Sequence, residues 1–299
     1  MKKPSSNALL IIAFIAIYLI WGSTYLLNKI AVTELSPLFL AAVRFFIASV
    51  IIFSIAKALK FSLVITKKQF LNSIFVGFLF LVYGNGVFVW ALKYVDSGFG
   101  ALLASTQPLF VLLLMRLMDK KTMRPKSLIG VGLGIIGMYL LVSQKELVTN
   151  ESTLLGIFMI FTCVLSWSYG SVFVAKADVP KNYFVSTGYQ MAIASVMLAC
   201  TSLSLGETWT SPLLWSPRVQ LAMLALITFG SIVAFTAFNY LLKQVSTEKV
   251  ATSAYVNPIV ALILGWYVLD ETLSAQSIIA AAVLLTGVYF ITTRKTRGL

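Results

Sequence analysis

A chain of 299 residues that is 59% hydrophobic and only 11% charged falls outside the composition of soluble globular domains. Its net charge of +13 is scattered over short connections without a basic arm or stripe, which excludes nucleic acid as a partner. Two cysteines without a histidine give no metal site, and no Walker-type phosphate loop is present, so no cofactor is expected.

A spanning helix takes about 20 apolar residues. The sequence predicts ten such spans, at 8–28, 36–57, 70–92, 98–118, 127–143, 153–175, 184–205, 219–241, 248–269 and 274–292, hence an all-α integral membrane protein. The first follows Lys2 and Lys3 without a small-residue cleavage site and reads as a retained helix rather than a secretory signal. It carries Trp21 and, one turn on, Tyr25. The second holds Arg44, the one charge well inside a span, which must face inward and find a partner or water. Two readings stay open for it: a fixed cation for a substrate carboxylate, or a guanidinium bonded to helix-end carbonyls. In the third span Tyr83, Asn85 and Trp90 surround Gly84 and Gly86, glycines that admit a close neighbour.

The fourth span contains Gln107 and Pro108, and the ninth contains Tyr255, Asn257 and Pro258. Proline removes a backbone donor and pushes off the carbonyl four residues back, here Ala104 and Ala254. Each pair therefore predicts a helix kink with an amide beside an unpaired carbonyl near mid-membrane, where a protein-lined aqueous cavity satisfies what lipid does not. The alternative is a bend sealed by neighbouring helices. Trp167 and Tyr169 in the sixth span, and Gln190 in the seventh, complete the candidate solute-binding residues. The aromatics are read either as cavity walls or as interfacial anchors facing lipid. Cys163 and Cys200 lie at different depths, which argues against a disulfide between them.

The chain also repeats itself. Residues 91–141 align without a gap on 241–291 at an offset of 150, matching Lys93 to Lys243, Pro108 to Pro258 and Gly137 to Gly287. Earlier helices align at an offset of 146, pairing Trp21 with Trp167, Arg44 with Gln190, and IASV at 47–50 with IASV at 193–196. Because each half holds an odd number of spans, the second enters the membrane from the opposite side, an inverted repeat of the kind secondary transporters use. Of the 23 basic residues, Lys29, Lys93, Lys145 and Arg218 occupy one face, Arg44 lies within a span, and the rest fall on the other face. The positive-inside rule then makes both termini cytoplasmic.

The segments WGSTY (21–25), PLFLAAVRF (37–45), YGNGVFVWAL (83–92), TQPLF (106–110), NPIVA (257–261), LDETLS (269–274) and GVYFITT (287–293) run the length of the chain. In this order and spacing the sequence resembles the drug/metabolite transporter superfamily, EamA type, with one repeat over 1–147 and a second over 148–299. The resemblance implies a bacterial inner-membrane carrier of small organic solutes, commonly outward, often amino acids or other metabolites. It does not fix the solute. One departure is that Glu271, after the ninth span, has Lys121 as its counterpart after the fourth, with Asp119 two residues earlier. Glu271 by itself reads as an ordinary surface carboxylate.

The combined expectation is a secondary transporter that exports small organic metabolites, amino acids or related amphipathic or aromatic solutes, by alternating access. The ten acids all fall in or beside connections, so no deep titratable group supports proton coupling. The runner-up is a non-transporting membrane scaffold or sensory subunit. An intramembrane enzyme ranks last, for want of a nucleophile with a base or a metal cluster at depth. The partners expected are a small-molecule solute and the lipid bilayer; the oligomeric state is left open, with a monomer compatible.

Overall fold

The computed structural model describes residues 6–119, 125–144 and 151–292. Lys2, Lys3, Lys121, Arg294 and the expected repeat boundary at 147/148 lie outside the described residues, as does the side chain of Tyr255. Within them the fold is entirely helical. Seven helices are long and apolar enough to cross a membrane: α1 (Asn7–Ala31), α2 (Pro37–Ala58), α3 (Lys67–Ala91), α4 (Ser97–Met118), α6 (Glu151–Lys176), α7 (Tyr183–Ser204) and α8 (Pro217–Gln244). Three shorter apolar helices are α5 (Pro125–Val142), α9 (Ser253–Leu269) and α10 (Ala275–Thr292). The side chains left on the outside, such as Ile11, Phe46, Phe158, Val196 and Leu221, are apolar, as lipid contact requires.

The helices pack in equivalent pairs: α2 lies along α7, α5 along α10, and α4 along α9. Their ends form two faces. The distal face gathers the connections 32–36, 92–96, 205–216 and 270–274; the proximal face carries the start of α1 with 59–66, 177–182 and 245–252. Two apolar clusters fill the interior. A distal one runs from Leu26, Ile30 and Phe39 to Leu92, Leu103, Ile160 and Trp215. A proximal one includes Ile17, Phe45, Phe80, Met191, Phe235, Phe238 and Val250.

On the distal face carboxylates from one half hold helix starts of the other. Glu271 accepts the backbone N–H groups of Ser97 at 2.7 Å and Gly98 at 3.0 Å, capping α4. Glu207 accepts those of Leu38 at 3.2 Å and Phe39 at 2.8 Å, capping α2. Glu34 accepts that of Ser216 at 3.0 Å, ahead of α8. The first N–H groups of a helix have no internal partner and carry partial positive charge, so an anion there is stabilised. Glu271 is thus a tertiary cap, which corrects its reading as an ordinary surface carboxylate.

Three helices carry π-helical stretches: Ala16–Ile20 in α1, Phe78–Val87 in α3 and Leu226–Phe235 in α8. A π turn bonds five residues back instead of four, which leaves carbonyls to be satisfied from outside the helix. Each stretch finds such donors on another helix. The Asn257 amide nitrogen, oriented toward its acceptors, donates to the carbonyls of Tyr18 at 2.8 Å and Ile17 at 3.0 Å. Ser166 Oγ donates to Leu79 O at 2.8 Å and the Cys163 thiol to Tyr83 O at 3.3 Å. Trp21 Nε1 donates to Gly230 O at 3.3 Å.

The paired prolines behave differently from each other. α4 is interrupted at Ser105–Thr106, just before Gln107, and restarts with Pro108 in its first turn, where a missing donor costs nothing. The hydroxyls of Ser105 and Thr106 donate to the carbonyls of Leu102 and Leu103 at 2.6 and 2.7 Å, covering the broken turn. Pro258 instead sits inside the continuous α9, whose interruption comes earlier, at Ala251–Thr252. Of the paired prolines, then, Pro108 follows a break in α4, whereas α9 runs unbroken through Pro258.

Candidate functional site

A cavity of about 110 Å³ lies where the two apolar clusters meet. α1 contributes Trp21, Thr24, Tyr25 and Asn28, and α2 contributes Arg44; α3 brings Gly84, Asn85 and Phe88. The broken turn of α4 adds Ala104, Ser105 and Gln107, α6 adds Cys163 and Trp167, and α9 adds Ser253, Ala254, Asn257 and Pro258. Residues Ala104 and Ala254, four before the prolines, both reach the wall. Among the described residues no carboxylate lines it.

Arg44 is 3% exposed and is held from two sides. Its Nε donates to Ser231 Oγ at 2.7 Å and its Nη1 to Asn28 Oδ1 at 3.4 Å, while its guanidinium lies 5.1 Å from the Phe45 ring centroid. Asn28 in turn donates to Thr24 O at 2.8 Å, which fixes its oxygen toward the arginine. Gly230 lets the guanidinium approach α8: a Cβ there would stand 3.1 Å from Nη2. Among the described residues no carboxylate pairs with Arg44, so its charge is met by neutral oxygens and by the cavity. Asn85 Oδ1, also in the wall, is buried without a hydrogen-bond partner.

The proximal floor of the cavity is aromatic. Trp21 and Trp167 meet edge to face with centroids 5.6 Å apart, and Trp167 packs on Phe80 at 4.8 Å, Phe238 at 5.5 Å and Phe235 at 6.3 Å. Phe238 also touches Trp21, at 4.9 Å. Beneath, the Tyr18 hydroxyl and Thr252 Oγ1 share a hydrogen bond of 2.6 Å that ties α1 to the proximal end of α9.

Of the residues singled out by sequence, Trp21, Tyr25, Arg44, Asn85, Gln107, Trp167, Asn257 and Pro258 come together around this cavity. Pro108 is not among the lining residues, and four others lie elsewhere. Tyr83 turns its ring toward Phe78 at 6.2 Å and offers only its carbonyl inward. Trp90, at the distal end of α3, packs on the cluster that holds Leu38 and Leu198, and Tyr169 points out toward Phe75 at 6.1 Å. Gln190 is fully buried below the aromatic layer, bonded to Ser186 and Asn239 at 3.0 and 3.3 Å. Its sequence equivalence to Arg44 does not bring it to the cavity: it lies on the other side of the floor. Thr24, Asn28, Ser105 and Ser253 were missed by sequence reading; the four- and three-residue steps from Trp21 to Tyr25 to Asn28 along α1 were the available signal.

Comparison with known proteins accords with this architecture. The chain matches the EamA-like transporter family over residues 8–143 and again over 154–293. It is 34% identical over 284 residues to the "Uncharacterized inner membrane transporter YedA" of Escherichia coli K12, covering 95% of this chain and 90% of that one. It is 24% identical to a Salmonella typhimurium protein named "Probable amino-acid metabolite efflux pump", over 96% of this chain and 94% of the relative. A solved crystal structure with 22% identity superposes with a TM-score of 0.71 over 96% of this chain and 97% of its own, a likeness of fold. The chain belongs to the EamA-like transporter family and is a multi-pass membrane protein.

Proposed function

We propose that the protein is a secondary carrier that exports small organic metabolites, amino acids or related amphipathic solutes, across the bacterial inner membrane by alternating access. In this reading all ten helices cross the bilayer as two inverted five-helix repeats, 1–147 and 148–299, with both termini cytoplasmic and the distal face outside. The packing of equivalent helices against each other, α2 on α7 and α5 on α10, supports a pseudo-twofold arrangement. The names of the E. coli and Salmonella relatives support the membrane and the outward direction.

The observation that carries the proposal is the composition of the cavity: Trp21 with its equivalent Trp167, and Gln107 with its equivalent Asn257, line one space at the join of the halves. Its volume of about 110 Å³ lies below the roughly 300–1,000 Å³ of drug-sized pockets and suits a metabolite. Arg44 and the unpaired Asn85 oxygen supply orientation, and the aromatic floor supplies apolar contact.

The test is a solute screen by thermal stabilisation of the purified protein, repeated with Gln107→Ala. A solute that raises the melting temperature of the native chain and fails with the variant supports the site. Equal stabilisation of both proteins by every active solute would place binding elsewhere.

A further inference from the structure

Below the aromatic floor lies a second cavity, of about 30 Å³, with room for about two waters. Its wall includes Ser186, Asn239, Tyr183, Tyr240, Lys181 and Lys243. Ser186 and Asn239 are 3% and 4% exposed and belong to a polar network behind the wall. Gln190 Nε2 donates to Ser186 Oγ at 3.0 Å and to Asn239 Oδ1 at 3.3 Å, and Asn239 Nδ2 donates to Thr187 Oγ1 at 3.1 Å. Asn239 Nδ2 also reaches Phe235 O at 3.2 Å, so one turn of α8 builds both the aromatic floor and the polar wall beneath it.

The two chambers correspond. Arg44 and Gln190 hold the same place in the second helix of each half, one serving the upper chamber and the other the network of the lower. Arg44 lines the upper chamber and Lys181 and Lys243 the lower, and among the described residues neither is lined by a carboxylate. In the lower one the Lys243 ammonium spans the carbonyls of Val174 and Ala177, each at 3.2 Å. The acid facing Lys243 across the proximal connection is Asp178, whose carboxylate accepts from Gln69 Nε2 at 3.2 Å.

We infer that the lower cavity is the proximal loading site for the carried solute, narrowed in this conformation, and that the solute bears an anionic group. The anion is received by Lys181 and Lys243 and passes to Arg44 when Phe80, Trp167, Phe235 and Phe238 part. A solute whose only charge is positive is repelled at both stations. The inference rests on the carrier reading above.

The test uses single cysteines in the full chain carrying Cys163→Ser and Cys200→Ser, in membrane vesicles of either orientation. The probes are two membrane-impermeant methanethiosulfonates, one with a sulfonate and one with a trimethylammonium group, each rate normalised to that with free mercaptoethanol. Ser186→Cys is expected to react from the proximal face, about tenfold faster with the anionic reagent, and the preference vanishes on adding Lys181→Gln and Lys243→Gln. Tyr183→Cys serves the same purpose should Ser186→Cys fold poorly. Equal or inverted preference, or reaction only from the distal face, overturns the loading site. Ser105→Cys reports on the upper cavity separately: if it reacts from the distal face while neither lower cysteine reacts from the proximal one, the loading site falls and the carrier stands. If none reacts from any side, both fall.

Discussion

The indole rings of Trp21 and Trp167, equivalent residues of the two sequence halves, meet edge to face at 5.6 Å and floor the upper cavity. An edge-to-face pair is worth about 0.5–1.5 kcal/mol beyond the area it buries. A double-mutant cycle with Trp21→Ala and Trp167→Ala, followed by denaturation in mixed micelles, should return a coupling in that range. Additive single effects would mean that the rings meet without holding the halves. Trp21→Phe keeps a ring but loses the donor to Gly230 O, and should cost about 1 kcal/mol.

Asn257 and Gln107 share the cavity wall but should answer substitution differently. Asn257→Leu strands the carbonyls of Ile17 and Tyr18 at membrane depth, a loss of roughly 2–7 kcal/mol. Gln107→Ala removes a half-buried side chain beside an already broken turn and should leave the unfolding midpoint nearly unchanged while weakening solute binding. Comparing melting temperature with solute affinity for the two variants separates these effects.

Replacing Glu271 by Gln keeps the shape of the cap on α4 but removes its charge and one acceptor. The expected cost is about 0.3–2 kcal/mol, measured by denaturation, and it should shrink as salt is raised. A salt-independent cost would point to packing rather than charge at the helix start.

Acidification should act on two distal carboxyls in opposite directions. The side-chain and backbone hydrogen bonds from Ser216 hold the Glu34 carboxyl below its ordinary 4.5, so its contribution is present above that pH and is lost as pH falls through the lower folded value. Partial burial and the nearby Glu271 push Asp96 above its ordinary 3.8, against the pull of Lys29, so its contribution is present at low pH and lost as pH rises through the folded value. Glu34→Gln should therefore flatten the acid loss of thermal stability, and Asp96→Asn should steepen it. Parallel pH profiles for both variants would contradict the assignment.

Much of the site was legible because a repeat marks its own centre: Trp21 with Trp167, and Gln107 with Asn257, are matched residues that the fold brings to one cavity. Arg44 announced itself as a charge where none belongs. What the sequence hid depends on contacts between distant helices. A uniformly apolar span has no polar face whose drift would betray a π turn, so the stretches in α1, α3 and α8 left no pattern to read. Equivalence in the repeat told where Gln190 sits along its helix, not which side of the aromatic floor it serves. Nor could Lys29, which donates to Leu92 O and Val95 O at 2.8 and 2.7 Å, be told from a solvated lysine at a helix end.

The π stretches Phe78–Val87 and Leu226–Phe235 fall at nearly the same place in the third helix of each half, and contain Phe80 and Phe235. Each stores spare length. Releasing one residue of it would swivel the adjoining segment by roughly 100°, the arc of a single α-helical residue. Lys29 pins the far end of α3 to α1, and Lys243 pins that of α8 to α6, so such a swivel would be confined between fixed ends. The rings would then sweep out of the floor like a turnstile while the loops stand still.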